Sequence, residues 1–308
     1  MRRILVTGAA GNIGSTLVER LIEAGEYQII AVDNLLTGDQ SKLPEASDLM
    51  KFIKADVNRY TDISEIMLAY RVDYVFHYAA VVGVKRTLDQ PIMVLNDIEG
   101  IRNILDLSKN TGVRRVFFSS SSEVYGEPVE FPQNENTTPL NSRLPYAVVK
   151  NVGEAFLRSY HREFGLDYTI FRFFNTYGPR QSNDFVITRF LDQALQGLPL
   201  TIYGNGQQRR TFCYIDDNIE TTLRCLTENR CVNEVMNVGS DEEITILDLA
   251  KKIIEVTGSR SAVHHLPPLA EGDMTRRKPD NSKMREILNR PLTTLEDGLK
   301  KTIKLKNS

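Results

Sequence analysis

The sequence predicts an α/β fold: a Rossmann-like, doubly wound parallel sheet carrying a smaller α/β substrate-binding lobe. Three observations carry this expectation. Short apolar runs alternate with helical patterns through the first half of the chain. A glycine-rich turn joins the first strand to the first helix. An acidic residue closes the second strand. Strand, glycine turn, helix, strand and acid in that order form one βαβ unit of the dinucleotide-binding kind.

Taken in order, Arg3-Ile-Leu-Val-Thr7 reads as a buried parallel strand. Gly8-Ala-Ala-Gly11-Asn12-Ile13-Gly14 follows at once, with G-x-x-G-x-x-G spacing. Glycines here permit a tight turn and let backbone N–H groups at a helix N-terminus approach a pyrophosphate. Ser15 to Ala24 reads as a helix stopped by Gly25, and Gln28 to Asp33 as the next strand. Asp33 is placed to accept hydrogen bonds from ribose hydroxyls and to repel a 2′-phosphate. No arginine follows in Asn34-Leu-Leu-Thr-Gly38, so the pattern favours NAD over NADP. Phe52 to Asp56 is a third strand, with Asp56 and Val57 placed to hold the adenine. Ile63 to Tyr70 is a helix. Tyr74 to Tyr78 is a strand running into Ala79 and Ala80, small residues where the cofactor could lie close. Ile92 to Asn110 reads as one long helix, Arg115 to Ser119 and Tyr168 to Phe174 as two more buried strands.

After Phe174 the character changes. Turn formers fill Asn175-Thr-Tyr-Gly-Pro-Arg180. A helix over 187–196, a strand over Leu200 to Gly204, a polar loop to Arg210, a helix over 245–258 and a charged loop over 271–280 follow. The expected division is a nucleotide-binding domain over 1–174, to which 213–238 returns, and a substrate lobe over 175–212 and 239–308. His264 and His265 read as a strand or loop edge, not a metal site.

Tyr146 and Lys150 stand four residues apart at the start of a helical pattern, which puts both side chains on one face. A free phenol titrates near about 10. A cation beside it favours the phenolate, so the pair is expected to give a tyrosine able to accept a proton from an alcohol.

Composition bounds the rest. The chain has 308 residues, a net charge of −2 and 41% apolar residues, enough for a sizeable core. Nothing in the charge favours nucleic acid or an anionic membrane. No apolar run reaches the roughly 18–20 residues that span a bilayer, and no signal-peptide core precedes the glycine turn. Cys213, Cys225 and Cys231 lack metal or redox spacing, which suggests reduced thiols in a cytoplasmic protein.

The set Thr7-Gly8-x-x-Gly11-x-x-Gly14, Asp33, Ser121-Ser122-Glu123-Val-Tyr-Gly126 and Tyr146-x-x-x-Lys150 resembles the extended short-chain dehydrogenase/reductase family. Within it the chain is similar to nucleotide-sugar epimerases, dehydratases and decarboxylases, over nearly its whole length. The resemblance implies transient oxidation of a sugar at C4 by NAD. Tyr146 would take the 4-hydroxyl proton, Lys150 would hold the nicotinamide ribose, and Ser121 would bond the same oxygen. Asn175, Arg180, Tyr203 and Arg210 would contact the nucleotide sugar and Glu271 its ribose. Glu123, preceded by Ser122, resembles members that eliminate water or carbon dioxide more than plain epimerases. Arg276-Arg277-Lys-Pro-Asp280 resembles a segment of UDP-xylose synthases, and an arginine there could pair with a substrate carboxylate. UDP-glucuronate decarboxylation is the best match; a 4,6-dehydratase and a 4-epimerase stay open. Tyr78, where leucine is usual, departs from the pattern. By the same resemblance the expected assembly is a homodimer through the helices around 92–110 and 146–163.

Overall fold

Seven parallel strands make the central sheet of the computed structural model, which describes residues 1–45, 47–268 and 276–306. These are β1 (Arg2–Thr7), β2 (Tyr27–Asp33), β3 (Met50–Lys54), β4 (Tyr74–His77), β5 (Arg115–Ser121), β6 (Asp167–Phe173) and a later strand over Glu234–Val238. Between β6 and that strand lie β7 (Thr176–Tyr177), β8 (Leu200–Tyr203), β9 (Arg209–Thr211) and β10 (Cys213–Tyr214), so the seventh sheet strand is β11. The order is β11-β6-β5-β4-β1-β2-β3. It reverses between β1 and β4, the kind of switch point where open α/β sheets bind ligands.

Alternation along the strands builds two cores. Ile4, Val6, Ala31, Phe76, Phe117 and Phe171 face one side. Leu5, Ile30, Val32, Val75, Phe118 and Ile170 face the other. Successive strand residues point to opposite faces, so unbroken apolar runs suit a sheet covered on both sides. The covering helices include α1 (Asn12–Ala24), α2 (Tyr60–Tyr70), the short α3 (Val84–Asp89) and α4 (Pro91–Leu95), α5 (Asp97–Thr111) and α6 (Pro145–Phe164). The single helix expected over 92–110 is therefore two, parted at Asn96. The break falls beside Asp97, whose carboxylate turns away to accept the Val81 N–H at 2.7 Å and the Asn58 amide at 3.3 Å.

A buried polar spine ties α6 to the sheet. Arg172 on β6 donates two hydrogen bonds to Glu154 on α6, at 2.8 and 2.7 Å. Ser120 on β5 donates to the same carboxylate at 2.6 Å, and Arg172 donates to the Tyr125 hydroxyl at 2.8 Å. Both members of the ion pair are almost fully buried, where pairing and added hydrogen bonds must offset a large desolvation penalty. Glu154 follows Lys150 by one helical turn, so the spine sets the height of Lys150 over β5.

The remaining segments form a smaller lobe. Three two-stranded ladders join β7 with β10, β9 with β12 (Glu243–Thr245) and β8 with β13 (Val263–Leu266). The helices α7 (Val186–Leu195), α8 (Ile215–Thr227), α9 (Ile246–Thr257), α10 (Ser282–Leu288) and α11 (Leu295–Lys306) complete the chain, and α8 leads into β11 of the main sheet. His264 and His265 lie on β13. Among the described residues no helix is long and apolar enough to cross a membrane, and no cluster of three or more His, Cys, Asp or Glu could hold a metal.

Candidate active site

A cleft of about 760 Å³ runs along the carboxyl ends of the sheet strands. At one end Gly8 follows β1 with φ of +68°, and a Cβ there would come within 2.6 Å of the Ala79 nitrogen. A Cβ on Gly14 would come within 2.1 Å of the Gly8 carbonyl oxygen. Gly8 thus lets the loop pass close to the chain leaving β4, and Gly14 lets the first turn of α1 close onto the Gly8 backbone. Gly11 forms the N-cap of α1 with no side-chain cap, which leaves the first helical N–H groups facing the cleft. The Oδ1 of Asn12 is buried there without a partner. Asp33 accepts the Ala10 N–H at 2.9 Å and the Leu35 N–H at 2.8 Å, so it braces the loop as well as lining the cleft. Ile13, Asn34, Asp56, Val57, Ala79 and Ala80 line the same end. So do Lys42 and Arg59, two cations that no sequence motif singled out.

The middle of the cleft holds β5, the turn after it and the start of α6. Ser119, Ser120, Ser121, Ser122, Glu123, Tyr146 and Lys150 all line it. Pro145 opens α6, where its fixed φ suits the first turn and its missing N–H is not needed. Ser121 caps the short 3-10 turn Ser122–Tyr125 by accepting the Glu123 N–H at 3.1 Å, and its hydroxyl lies beside the Tyr146 phenol. The Lys150 ammonium donates to the Ser119 hydroxyl at 3.3 Å and lies 5.6 Å from the Tyr146 ring centre.

The electrostatics differ from the expectation that Lys150 lowers the Tyr146 pKa. Burial pushes the Tyr146 phenol up, the Glu123 and Asp97 carboxylates add to that, and the Ser121 hydrogen bond and the Arg277 charge oppose it. The sum leaves Tyr146 well above its ordinary value. The charge that lowers the phenol is that of Arg277, while the Lys150 ammonium stands 5.6 Å from the ring centre. Burial lowers Lys150 itself to about 8, with Asp97 pulling the other way. Beneath them His77 is fully buried, hydrogen-bonded to Thr7 at 2.8 Å, and pushed down to about 3 by burial and by Lys150, so it is neutral.

At the far end Arg277, almost wholly buried, pairs with Glu123 at 2.9 Å. Asn175 has φ of +33°, a conformation asparagine tolerates, and donates to the Thr211 carbonyl at 3.0 Å. Phe185, Val186, Ile187 and Phe212 supply apolar lining. The other arginines expected here stand outside the lining. Arg180 donates to Glu19 on α1 at 2.6 Å. Arg276 forks onto Glu243 at 2.5 and 2.6 Å and stacks on Phe131. Arg210 is buried and donates to the Arg209 carbonyl at 2.8 Å. Tyr203 sits on β8 under the guanidinium of Arg189. Glu271 lies outside the described residues.

A model of the NAD dependent epimerase/dehydratase family matches residues 4–239. The chain belongs to that family. The glycine loop, the orphaned Asn12 oxygen and the cleft beside them fit the NAD that the family uses. The UDP-N-acetyl-alpha-D-glucosaminuronate decarboxylase of Bacillus cytotoxicus is 35% identical over 98% of this chain and 97% of that relative. The UDP-glucuronic acid decarboxylase 1 of Arabidopsis thaliana is 36% identical over 98% of this chain and 69% of that relative. The solved UDP-glucose 4-epimerase of Thermotoga maritima with UDP-glucose superposes with a TM-score of 0.92, at 34% identity, over 98% of this chain and 97% of that one. The dTDP-glucose 4,6-dehydratase of Streptomyces venezuelae with NAD bound gives 0.91 at 30% identity, over 99% and 97%. The chain is thus an NAD-dependent nucleotide-sugar enzyme by family, with relatives named for all three reactions that the sequence left open.

Two residues around Lys150 in this family member carried no signal in the sequence. Asp97 lines the cleft and raises Lys150 by its charge, and His77 lies beneath and is itself lowered by Lys150. Asp97 fell inside a stretch that read as uninterrupted helix, so nothing in its spacing marked it.

Proposed function

We propose that the protein decarboxylates UDP-glucuronate, or a close 2-substituted relative, through transient oxidation at C4. The observation that carries this is Arg277: a buried guanidinium opening on the cleft, beside Glu123 and on the far side from the glycine loop. A sugar carboxylate at C6 is the group such a fork suits. The decarboxylase names of the relatives support the same reading.

Bound NAD⁺ supplies a hydride acceptor, and its positive ring adds a charge that favours the phenolate. Tyr146 accepts the proton of the 4-hydroxyl, and Ser121 holds the same oxygen. Lys150 orients the cofactor ribose from below. Asp33 and the first turn of α1 hold the adenosine ribose and the pyrophosphate. Once C4 is a ketone, the C6 carboxylate belongs to a β-keto acid. The C5–C6 bond breaks with loss of carbon dioxide, and its electron pair is held as the C4 enolate. C5 then takes a proton, and Tyr146 gives back its own as the hydride returns to C4, which yields the UDP-pentose. Arg277 must exchange Glu123 for that carboxylate when substrate arrives. The exchange frees Glu123 to face C5. Asn175 contacts the nucleotide portion. The nucleotide half is read as 1–174 with 213–238, the substrate lobe as the remainder, and the working unit as a cytoplasmic homodimer through α5 and α6. Light scattering of the purified protein checks the dimer.

The deciding experiment is NMR of the purified protein with UDP-glucuronate and NAD⁺. A UDP-pentose with carbon dioxide is the expected product. UDP-galacturonate would instead mean epimerisation, with Glu123 kept on Arg277 throughout. Absence of any UDP-sugar product, with a 4-keto-6-deoxy sugar formed from a nucleotide hexose, would mean dehydration.

A further inference from the structure

Among the described residues, two ion pairs have both members lining the cleft: Glu123 with Arg277, and Arg86 with Asp184. The first belongs to the reacting centre. The second joins the two halves of the molecule. Arg86 stands on α3, beyond the loop that leaves β4, and Asp184 stands immediately before Phe185, the N-cap of α7 in the smaller lobe. The Arg86 Nη2 reaches the Asp184 carboxylate at 3.3 Å, and its Nη1 donates to the Val82 carbonyl at 2.6 Å. The two side chains are 32% and 48% exposed, so the pair sits at the open edge of the cleft. It closes over Gly83, whose φ is +106°. A Cβ there would lie 3.1 Å from the Arg86 Nη1 and 3.2 Å from the Asp184 carboxylate, so a residue without a side chain gives the pair room to meet.

The loop that this pair grips also carries Ala79 and Ala80, which line the nucleotide end of the cleft. It is tethered from two sides. In the nucleotide half Asp97 accepts the Val81 N–H at 2.7 Å. From the smaller lobe Asp184 holds the loop through Arg86. The two tethers differ in kind. Asp97 is buried, so its bond is insulated from solvent. The Arg86 pair is exposed enough to be screened by salt and to break and reform readily. That suits a closure that must open once per turnover. The chemistry supplies the need for closure. Between the two hydride transfers the sugar is a ketone and the cofactor is reduced, and neither can leave if the sugar is to be re-reduced.

We propose that the Arg86–Asp184 pair is a strap across the cleft that retains the reduced cofactor and the 4-keto sugar until the hydride returns, and so sets whether the product is the re-reduced sugar or its ketone. The strap rests on the C4-oxidation reading given above. Arg86 and Asp184 are positioning residues in this role: they act by holding the loop of Ala79 and Ala80 against the cleft. The sign of their effect is distinctive. Asp184 is an anion at the edge of a cleft that takes a cofactor with a negatively charged pyrophosphate. Removing that charge alone would hold the cofactor more tightly. Removing a strap lets it go faster.

The test is the rate at which NADH leaves the full-length protein in the presence of UDP, followed by the fluorescence of bound NADH on dilution into excess NAD⁺. It compares the wild type, D184A, R86M and the double variant. D184A and R86M should each release NADH about two- to fivefold faster than the wild type, the size that an exposed ion pair can supply. The double variant should be no faster than the faster single, because both changes break the same bond. Given UDP-glucuronate, D184A should form a larger share of UDP-4-keto-pentose than the wild type, with a matching amount of NADH free in solution. Release from D184A at or below the wild-type rate overturns the strap, and so does a double variant whose effect is the product of the two singles. A wild-type protein that does not turn over UDP-glucuronate defeats the decarboxylase reading, while faster NADH release from D184A still supports the strap. Normal turnover with wild-type release from D184A defeats the strap alone.

Discussion

The two walls of the cleft treat their charges differently. On the side of β5 and α6, Lys150, Ser121, Tyr146 and the Glu154–Arg172 pair are held by one another before any ligand arrives. On the side of the smaller lobe, Arg277 is engaged with Glu123. On the proposed reading the first wall is a fixed frame for proton and hydride movement, and the second changes partners, which is where binding energy can be used to choose a substrate.

Tyr146→Phe tests the fixed wall most directly. Turnover of UDP-glucuronate should fall about 10²–10⁴-fold, with the melting temperature little changed; turnover near wild type would remove Tyr146 from the reaction. Glu154→Gln attacks the frame beneath it. It leaves Arg172 buried without its counter-charge, a loss of about 3–5 kcal/mol in urea unfolding. Burial pushes Glu154 up, but the hydrogen bonds and charge of Arg172 win and hold it below its ordinary value. Its stabilising contribution is thus full above the unfolded carboxylate value, near about 4.3, and is lost as pH falls through the lower folded value. The wild type should lose stability over that acid window, and the variant should show a flatter curve there.

Arg277→Met probes the exchanging wall. The KM for UDP-glucuronate should rise about tenfold to a hundredfold, while UDP affinity stays unchanged; equal losses for both ligands would move Arg277 off the carboxylate. Asp97→Asn tests the link between Asp97 and Lys150. With the ammonium of Lys150 already near about 8, activity should fall on the alkaline side as that proton is lost. Removing the Asp97 charge should move this limb to lower pH, and an unmoved limb in the pH–rate profile would refute the coupling. Arg276→Ala should do least. Its pair with Glu243 is more than a third exposed on the arginine side, worth about 1 kcal/mol or less. A KM change would show that the loop brings Arg276 onto the substrate.

The parts of the site that are legible in the sequence share one property. Gly8, Gly11, Gly14, Asp33, Tyr146 and Lys150 act within short segments, where a strand-to-turn-to-helix path or an i,i+4 spacing fixes their relative positions. The arginines are not legible in this way. Four from the smaller lobe, Arg180, Arg210, Arg276 and Arg277, were expected to meet the substrate, and the chain gives no local cue that Arg180 turns to Glu19 or Arg276 to Glu243. Each choice depends on a carboxylate far away in sequence: 161 residues for the first and 33 for the second.

The sequence by itself determined the alternation of strands and helices up to Phe174, the nucleotide loop and the placing of Tyr146 one turn from Lys150, because backbone periodicity and neighbouring side chains specify them locally. The tertiary structure alone decided the break at Asn96, the raised phenol of Tyr146 and the meeting of Glu123 with Arg277. Those outcomes depend on burial and on which distant charges come within reach, and both quantities exist only once the chain has packed.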